Sequence, residues 1–438
     1  MKAQFYELAA TIFRALQAGE VLLCTLAGER SDFVRFNRAK VRQAGTVEQR
    51  VLTLRLIHGR RQASATITLT GGADDVGQAR ASLQQLREVT AQLPEDPWLV
   101  VSETPQSTES EHRGDLPQPD AVVEHVVHMA QGHDFVGFYA GGTVYRGFAN
   151  SLGQRNWHEV DSFNLDWSLY LQSDKAVKTG YAGFAWDVRA FDAKLRAAIA
   201  DVELLRVPAK SIEPGECRAY LSPRALDELT GLLCWGGFSA KARQTRQSPL
   251  LRMEHGETLS SRVTLIENTA EGIAPPFQAD GYVKPACVPL IVAGRLGDAL
   301  VSPRSAQEYG LATNAASEGE APASLDLAAG TLATSDVLSA LDTGLYVNNL
   351  WYLNYSDRPA ARITGMTRFA TFWVEKGRIV APVNVMRFDD SIYRMLGENL
   401  VDLTQERELL PDTSTYEERS TGSSRLPGAL LAALRFTL

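Results

Sequence analysis

Apolar positions recur every three to four residues over 3–18, where Phe5, Leu8, Ala9, Ile12, Phe13 and Leu16 share one face and predict an amphipathic helix. The period then falls to two. Segments 21–27, 32–44, 46–58 and 60–69 read as strands, with Val47, Val51, Leu54 and Leu56 marking a half-buried one and Gly59 turning it into the next. Gly71-Gly72 ends this sheet, and Val76, Ala79, Leu83, Leu86 and Val89 predict a helix over 74–92. Residues 93–120 are rich in Pro, Ser and Glu and read as a linker. The pattern then restarts, with a helix over 120–131, strands near 134–140, 143–150, 162–172 and 177–186, and a helix over 187–201. Helix, four strands, helix occurs twice, which predicts a structural duplication of 1–95 and 119–205 within an N-terminal α+β domain, 1–212.

A second domain, 213–438, is organised around the stretch 214–253. A short strand there runs into Ser222-Pro223, an N-cap followed by a proline at the first helical position. Leu226, Leu229, Leu233 and Phe238, with Leu232 and Trp235 beside them, predict a buried central helix. Gly231, Gly236 and Gly237 lower helix propensity and mark close packing or a bend. Residues 290–300 read as a hairpin around Gly294, 312–325 as a flexible surface loop, and 335–341 as a short helix. The remainder is β-rich, with Lys376-Gly377 as a tight turn, a helix near 391–400 and a closing strand. The fold class is therefore α+β, a β-rich domain with a central helix following the duplicated one.

Charge and composition narrow the function. A net charge of -8 argues against nucleic acid as a partner, and Arg35, Arg38, Lys40 and Arg42 read as the outer face of a strand. No apolar run spans a bilayer, and Glu7 and Arg14 interrupt the N-terminal helix, so neither a membrane nor a secretory role is expected. Cys24, Cys217, Cys234 and Cys287 form no CxxC pair and sit in apolar contexts, as buried reduced thiols of a cytoplasmic protein do. Phosphate loops of the GxxxxGK[ST] and GxGxxG kinds are absent.

Several blocks carry a family resemblance in order: Asn150-Ser151 with Gly153, Pro214-Gly215, 221–223, 229–233, Pro276-Phe277, Asp280-Gly281, Gly294-Arg295-Leu296, and above all 343–383 with the later RFDDS. Across nearly its whole length the chain resembles the TldD/PmbA family, whose two subunit types build a zinc peptidase. The resemblance implies a helix bearing HExxxH in the catalytic type, with a third zinc ligand from a cysteine near the C-terminus. Cys234, Trp235 and Ser239 stand at the corresponding places here, within about one position, and no histidine follows His255 nor any cysteine Cys287. The chain is thus closer to the PmbA (TldE) type. That resemblance implies a zinc-free, non-catalytic subunit that binds no cofactor, with zinc expected only in a TldD-like partner. The alternative is a homodimeric peptide-binding or peptide-maturation protein that needs no such partner.

The family accepts extended peptide as an added strand, and Asn349, Trp351, Tyr355, Arg368 and Arg387 are the residues of the C-terminal strands suited to it: amides for a peptide backbone, aromatics for packing, arginines for carboxylates. Two local motifs compete. His125 and His128 share a helix face with Glu124 alongside, but lack the HExxH order and a third ligand, so packing or surface exposure is preferred. Cys234 lies between Leu233 and Trp235, where a buried thiol is inert rather than nucleophilic.

Overall fold

The computed structural model describes residues 1–173 and 175–437. α1 (Lys2–Phe13) buries Phe5, Leu8, Ala9 and Ile12, as the pattern predicts. β1 (Glu20–Asn37), β2 (Lys40–His58) and β3 (Arg61–Thr68) follow, then α2 (Asp74–Thr90). β4 (Thr108–His112) precedes the second unit, made of α3 (Pro119–Met129), β5 (Asp134–Asn150), β6 (Arg155–Gln172), β7 (Lys175–Gly183) and α4 (Val188–Leu204). Each unit holds three strands, not four. The expected breaks at 28–31 and 141–142 lie inside β1 and β5, which pair with each other along their length, Ser31 opposite Gly142. Glu29 and Ser31 interrupt the apolar alternation yet are buried, because strands paired on both sides place polar groups inside where partners exist.

The two meanders join through β1 and β5 in one sheet of order β3-β2-β1-β5-β6, with β4 and β7 both alongside β6. The predicted linker is partly structured: Thr108–His112, polar throughout, pairs in parallel with Asn156–Val160.

The second sheet starts at β8 (Gly215–Leu221), which enters α5 (Pro223–Cys234) directly. The Ser222 hydroxyl accepts from the Ala225 amide (3.2 Å) and caps the helix. α5 is shorter than its pattern. Gly236 adopts φ +82°, and a Cβ at Gly237 would lie 2.3 Å from the Leu233 carbonyl oxygen, so the chain turns sharply after Cys234. Phe238 is still buried, but from the next segment, whereas Trp235 turns out and is 64% exposed. Short elements follow: α6 (Ala240–Gln244), α7 (Leu251–Glu254), β9 (Leu265–Glu267), β10 (Val288–Val292), β11 (Arg295–Leu296), α8 (Pro303–Tyr309), β12 (Ser324–Leu327) and α9 (Val337–Leu341). The predicted loop at 312–325 is pinned from within: the buried Glu320 carboxylate accepts from Ser239 Oγ (2.6 Å), Lys241 N (2.8 Å) and Ser302 N (2.9 Å).

β13 (Gly344–Asp357), β14 (Arg362–Glu375), β15 (Arg378–Pro382), β16 (Arg387–Ser391), β17 (Leu400–Pro411) and β18 (Ser423–Phe436) complete the chain. The pairings β8–β13–β14–β16–β18–β8 close on themselves. Leu226, Leu229 and Leu233 of α5 fill the core beside them. The helix expected near 391–400 is one π-helical turn, Arg394–Glu398. All four cysteines are free, but only Cys24 is buried as expected; Cys217 and Cys234 are half-buried and Cys287 is exposed.

A strap between β17 and β18 crosses onto the first sheet. Arg419, 5% exposed, donates from Nη2 to the Ser162 carbonyl and hydroxyl (2.9 Å each) and from Nη1 to the Gly142 carbonyl (3.1 Å). Arg146 Nη2 donates back to the Arg419 carbonyl (3.2 Å).

A second crossing contact titrates. His158 Nε2 donates to the Ile273 carbonyl (2.9 Å), which leaves Nδ1 to accept from Ser110 Oγ (3.1 Å). Burial pushes this imidazole down to about 4, against the opposing effect of the carbonyl bond. Unfolded, it returns to about 6.5, so between these values the unfolded chain holds more protons and stability falls as the pH is lowered. A loss on the order of 3 kcal/mol between pH 6.5 and 4 is expected from this group. Denaturant titrations at several pH values check it, and His158→Gln should lack that part of the pH dependence.

Candidate functional site

The outward face of α5 is polar where its inward face is not. Arg224, Asp227, Glu228, Gly231, Leu232 and Trp235 follow one another at helical spacing on that side. A cleft of about 570 Å³ runs along this stripe, closed opposite by Leu353, Leu410, Asp412 and Ser424. Burial raises the Asp227 and Glu228 carboxyl pKa values, with the Ser424 hydrogen bond and the Arg224 charge opposing at Asp227. The Cys234 thiol lines the same cleft, and burial drives its pKa up too, so it stays protonated and unreactive at neutral pH.

Cys234, Trp235 and Ser239 share no helix. Cys234 is the last residue of α5, Trp235 its C-cap, and Ser239 the N-cap of α6, with its hydroxyl on the Ala242 amide (3.0 Å). α5 holds one glutamate, Glu228, and no histidine, so in no register does it present HExxxH.

Near the other end of α5 lies a cavity of about 220 Å³ between the two sheets, lined from one side by α4 and β7 and from the other by the α5 N-terminus, β13 and β17. Its Tyr220 and Tyr346 rings lie 5.0 Å apart. Lys194 bonds Glu408 across it (2.7 Å), and Arg224 pairs with Asp166 (3.1 Å). Asp201 also lines it; burial raises its pKa to about 6, partly offset by Asn348.

The peptide-binding candidates are divided among places. Trp351 and Arg387 lie opposite the same β14 residue, Met366, and the Arg368 guanidinium stacks on the Trp351 ring at 4.9 Å. Asn349 pairs with Arg368 on the neighbouring strand and is buried. Tyr355 is apart from these, its hydroxyl donating to the Leu232 carbonyl (2.9 Å) at the end of α5. Arg387 is exposed and donates to Thr364 Oγ1 (3.1 Å). Trp351 (47%) and Tyr352 (75%) remain exposed. His125 Nε2 lies 2.7 Å from Asp192 and its ring packs on Phe191, a structural tie between α3 and α4, while His128 is exposed.

Such an arrangement, a strand-fed helix held in a closed run of strands behind a duplicated α+β sheet, is that of the metallopeptidase-type C-terminal domain. Residues 214–437 match the model of the PmbA/TldA metallopeptidase C-terminal domain, and the chain belongs to the TldD/PmbA family. Its fold is similar to that of TldE from Thermococcus kodakarensis (TM-score 0.79, 14% identity, covering 99% of this chain and 100% of that one). It is also similar to a "putative modulator of a DNA gyrase" from Thermotoga maritima (TM-score 0.77, 13% identity, 99% of each chain). A "putative modulator of DNA gyrase" from Bacteroides thetaiotaomicron aligns with a TM-score of 0.76 at 15% identity, over 100% of this chain and 98% of that one. No curated protein matches the chain.

The residues of α5 do not fit the zinc of a family metallopeptidase. α5 carries no histidine, its Asp227 and Glu228 are consecutive on the helix, and among the described residues no three His, Cys, Asp or Glu side chains converge. No helix of the described residues is long and apolar enough to cross a membrane.

Proposed function

We propose that this chain is a non-catalytic, peptide-handling subunit that works beside a zinc-bearing TldD-like relative. The observation that carries this reading is α5 itself: it has its cap, its buried leucines and its cleft, but no histidine. A domain retained without its metal donors serves through its surfaces. Trp351, Tyr352 and Trp235 are large exposed side chains of the kind that interfaces enrich, and the β13–β14 aromatics are the proposed contact with a partner subunit. The cleft along α5 is the proposed path of extended peptide, and the cytoplasm the proposed compartment.

The test mixes purified protein with an HExxxH relative from the same genome and reads mass by light scattering, zinc by elemental analysis and cleavage of an unfolded peptide. Expected are a stoichiometric complex at micromolar concentration, about one zinc per complex held by the relative, and peptide cleavage only with both chains. A chain that alone retains one zinc after mild chelation, or never forms a complex, overturns the proposal. A self-dimer that processes peptide without the relative supports the homodimeric alternative.

A further inference from the structure

A second groove lies on the face of the first sheet and shares no lining residue with the cleft along α5. Its deeper half, a pocket of about 420 Å³, sits between β1, β2 and the strap. Glu29, Phe33 and Arg35 of β1 line it, with Gln49 opposite Glu29 and Gly45 opposite Phe33, so these side chains share one face of the sheet. Thr415 and Glu417 of the strap close the other side. The shallower half, about 320 Å³, begins at the same Arg35 and Phe138 and continues to Asn37, Arg42 and Lys178. From Glu29 to Arg35 the groove follows about 20 Å of strand, the length of five or six residues of an extended chain.

The deeper half holds an unmet acceptor. Glu29 is 1% exposed; its Oε1 accepts from Gln49 Nε2 (2.7 Å), while its Oε2 has no hydrogen-bond partner among the described residues. Arg146 and Arg419 bring positive charge near it, yet they donate to Gly142, Ser162 and Arg419 oxygens and not to Glu29. Glu417 and Glu418 stand close by, so three carboxylates face two guanidiniums. A buried charged acceptor without a donor is costly, and an ammonium supplies both the missing N–H and the missing positive charge. Beyond it the Phe33 and Phe138 rings stack at 5.9 Å, and Gly45 leaves open space beside them. The far end has the opposite charge. Among the described residues, Arg35, Arg42 and Lys178 form no ion pair there, and the lining carboxylate of Asp166 is taken by Arg224 (3.1 Å).

We propose that this groove captures short extended peptides by their free ends, the N-terminal ammonium on Glu29 and the C-terminal carboxylate at Arg42 and Lys178. Apolar side chains of the peptide rest on Phe33 and Phe138. The spacing of the two charged ends sets the length at about five residues, and a long chain can satisfy only one end at a time. The ligand is thus a different one from the segment of unfolded chain assigned to the α5 cleft, and the site needs no zinc-bearing partner.

Isothermal titration of the whole chain tests it with one unlabelled pentapeptide of leucine, glycine and serine, in free, N-acetylated and C-amidated forms. Acetylation should weaken binding about tenfold or more, as loss of a charged hydrogen bond does. Amidation should weaken it about threefold, because the cations at that end are exposed. Glu29→Gln should make the free and acetylated forms bind alike, and Arg42→Ala should abolish most of the amidation effect. Gly45→Leu should weaken all three forms by filling the pocket, and it is expected to fold, since a Cβ there meets nothing within 4 Å. Equal binding of the free and acetylated forms, or no binding of either, overturns the inference. So does an acetylation effect that survives in Gly45→Leu, which also decides the matter should Glu29→Gln fail to fold. The α5 path is read separately, by cleavage of unfolded peptide with the zinc-bearing relative, and stands or falls on that result.

Discussion

Leu233→Asp is expected to destabilise the second sheet and its helix by about 4 kcal/mol or more, read as a fall in the denaturation midpoint. Leu233 is fully buried on α5 among Leu226, Leu229 and Phe238. The change removes packing and puts an unpaired carboxylate in the core, and the two costs add. Leu232, one residue earlier, is half-buried and lines the cleft. Leu232→Asp should therefore cost within about 1 kcal/mol, as surface substitutions do. Equal losses in the two variants would mean that the buried face of α5 has been assigned wrongly.

Arg419→Met should cost about 3–5 kcal/mol, because this buried side chain ties the strap to the first sheet, beside the bonds of Gln49 and Arg146 to the Glu417 and Arg419 carbonyls. Its guanidinium meets the Ser162 carbonyl and hydroxyl and the Gly142 carbonyl, all away from water. Burial lowers its pKa, with Glu29 opposing, and that carboxylate keeps one oxygen without a partner. Removing the cation leaves Glu29 buried without that nearby positive charge and the carbonyls without their donor. Arg419→Lys should recover only part of the loss, since an ammonium cannot span the same fork of acceptors. Protease digestion gives a second readout: cleavage within 412–422 should become rapid in Arg419→Met. A variant as stable and as resistant as the parent would remove the strap from any account of how the sheets are held together.

Periodicity found what it is suited to find. The amphipathic helices were legible because each has one apolar face, and α2 and α3 lie within two residues of their predicted ends. The tight turn at Lys376-Gly377 was legible because both residues take positive φ, as a two-residue hairpin requires. β1 and β5 were split because their middles carry Glu29, Ser31 and two glycines, a pattern that means a turn unless the strand is paired on both sides. β4 was missed because a polar edge strand has no alternation to show. The length of α5 was overestimated because Phe238 is buried at helical spacing for another reason, the turn at Gly236-Gly237 folding it back. Of the site, the partial burial of Tyr355 and the contact of Trp351 with Arg368 are local to two strands. The inter-sheet cavity was invisible because it joins Asp201 to Tyr346, and no pattern within a segment records a contact between segments.

The strap also sets an order in time. Arg419 lies 257 residues beyond the serine whose carbonyl it caps. At about 5–20 residues per second of synthesis, the middle of the first sheet leaves the ribosome roughly 10–50 s before its arginine exists. Throughout that interval the Gly142 and Ser162 carbonyls and the buried Glu29 lack the guanidinium that later meets them. Until then those groups have only water to meet them, so the strap between β17 and β18 can seat only after both meanders of the first sheet have been made.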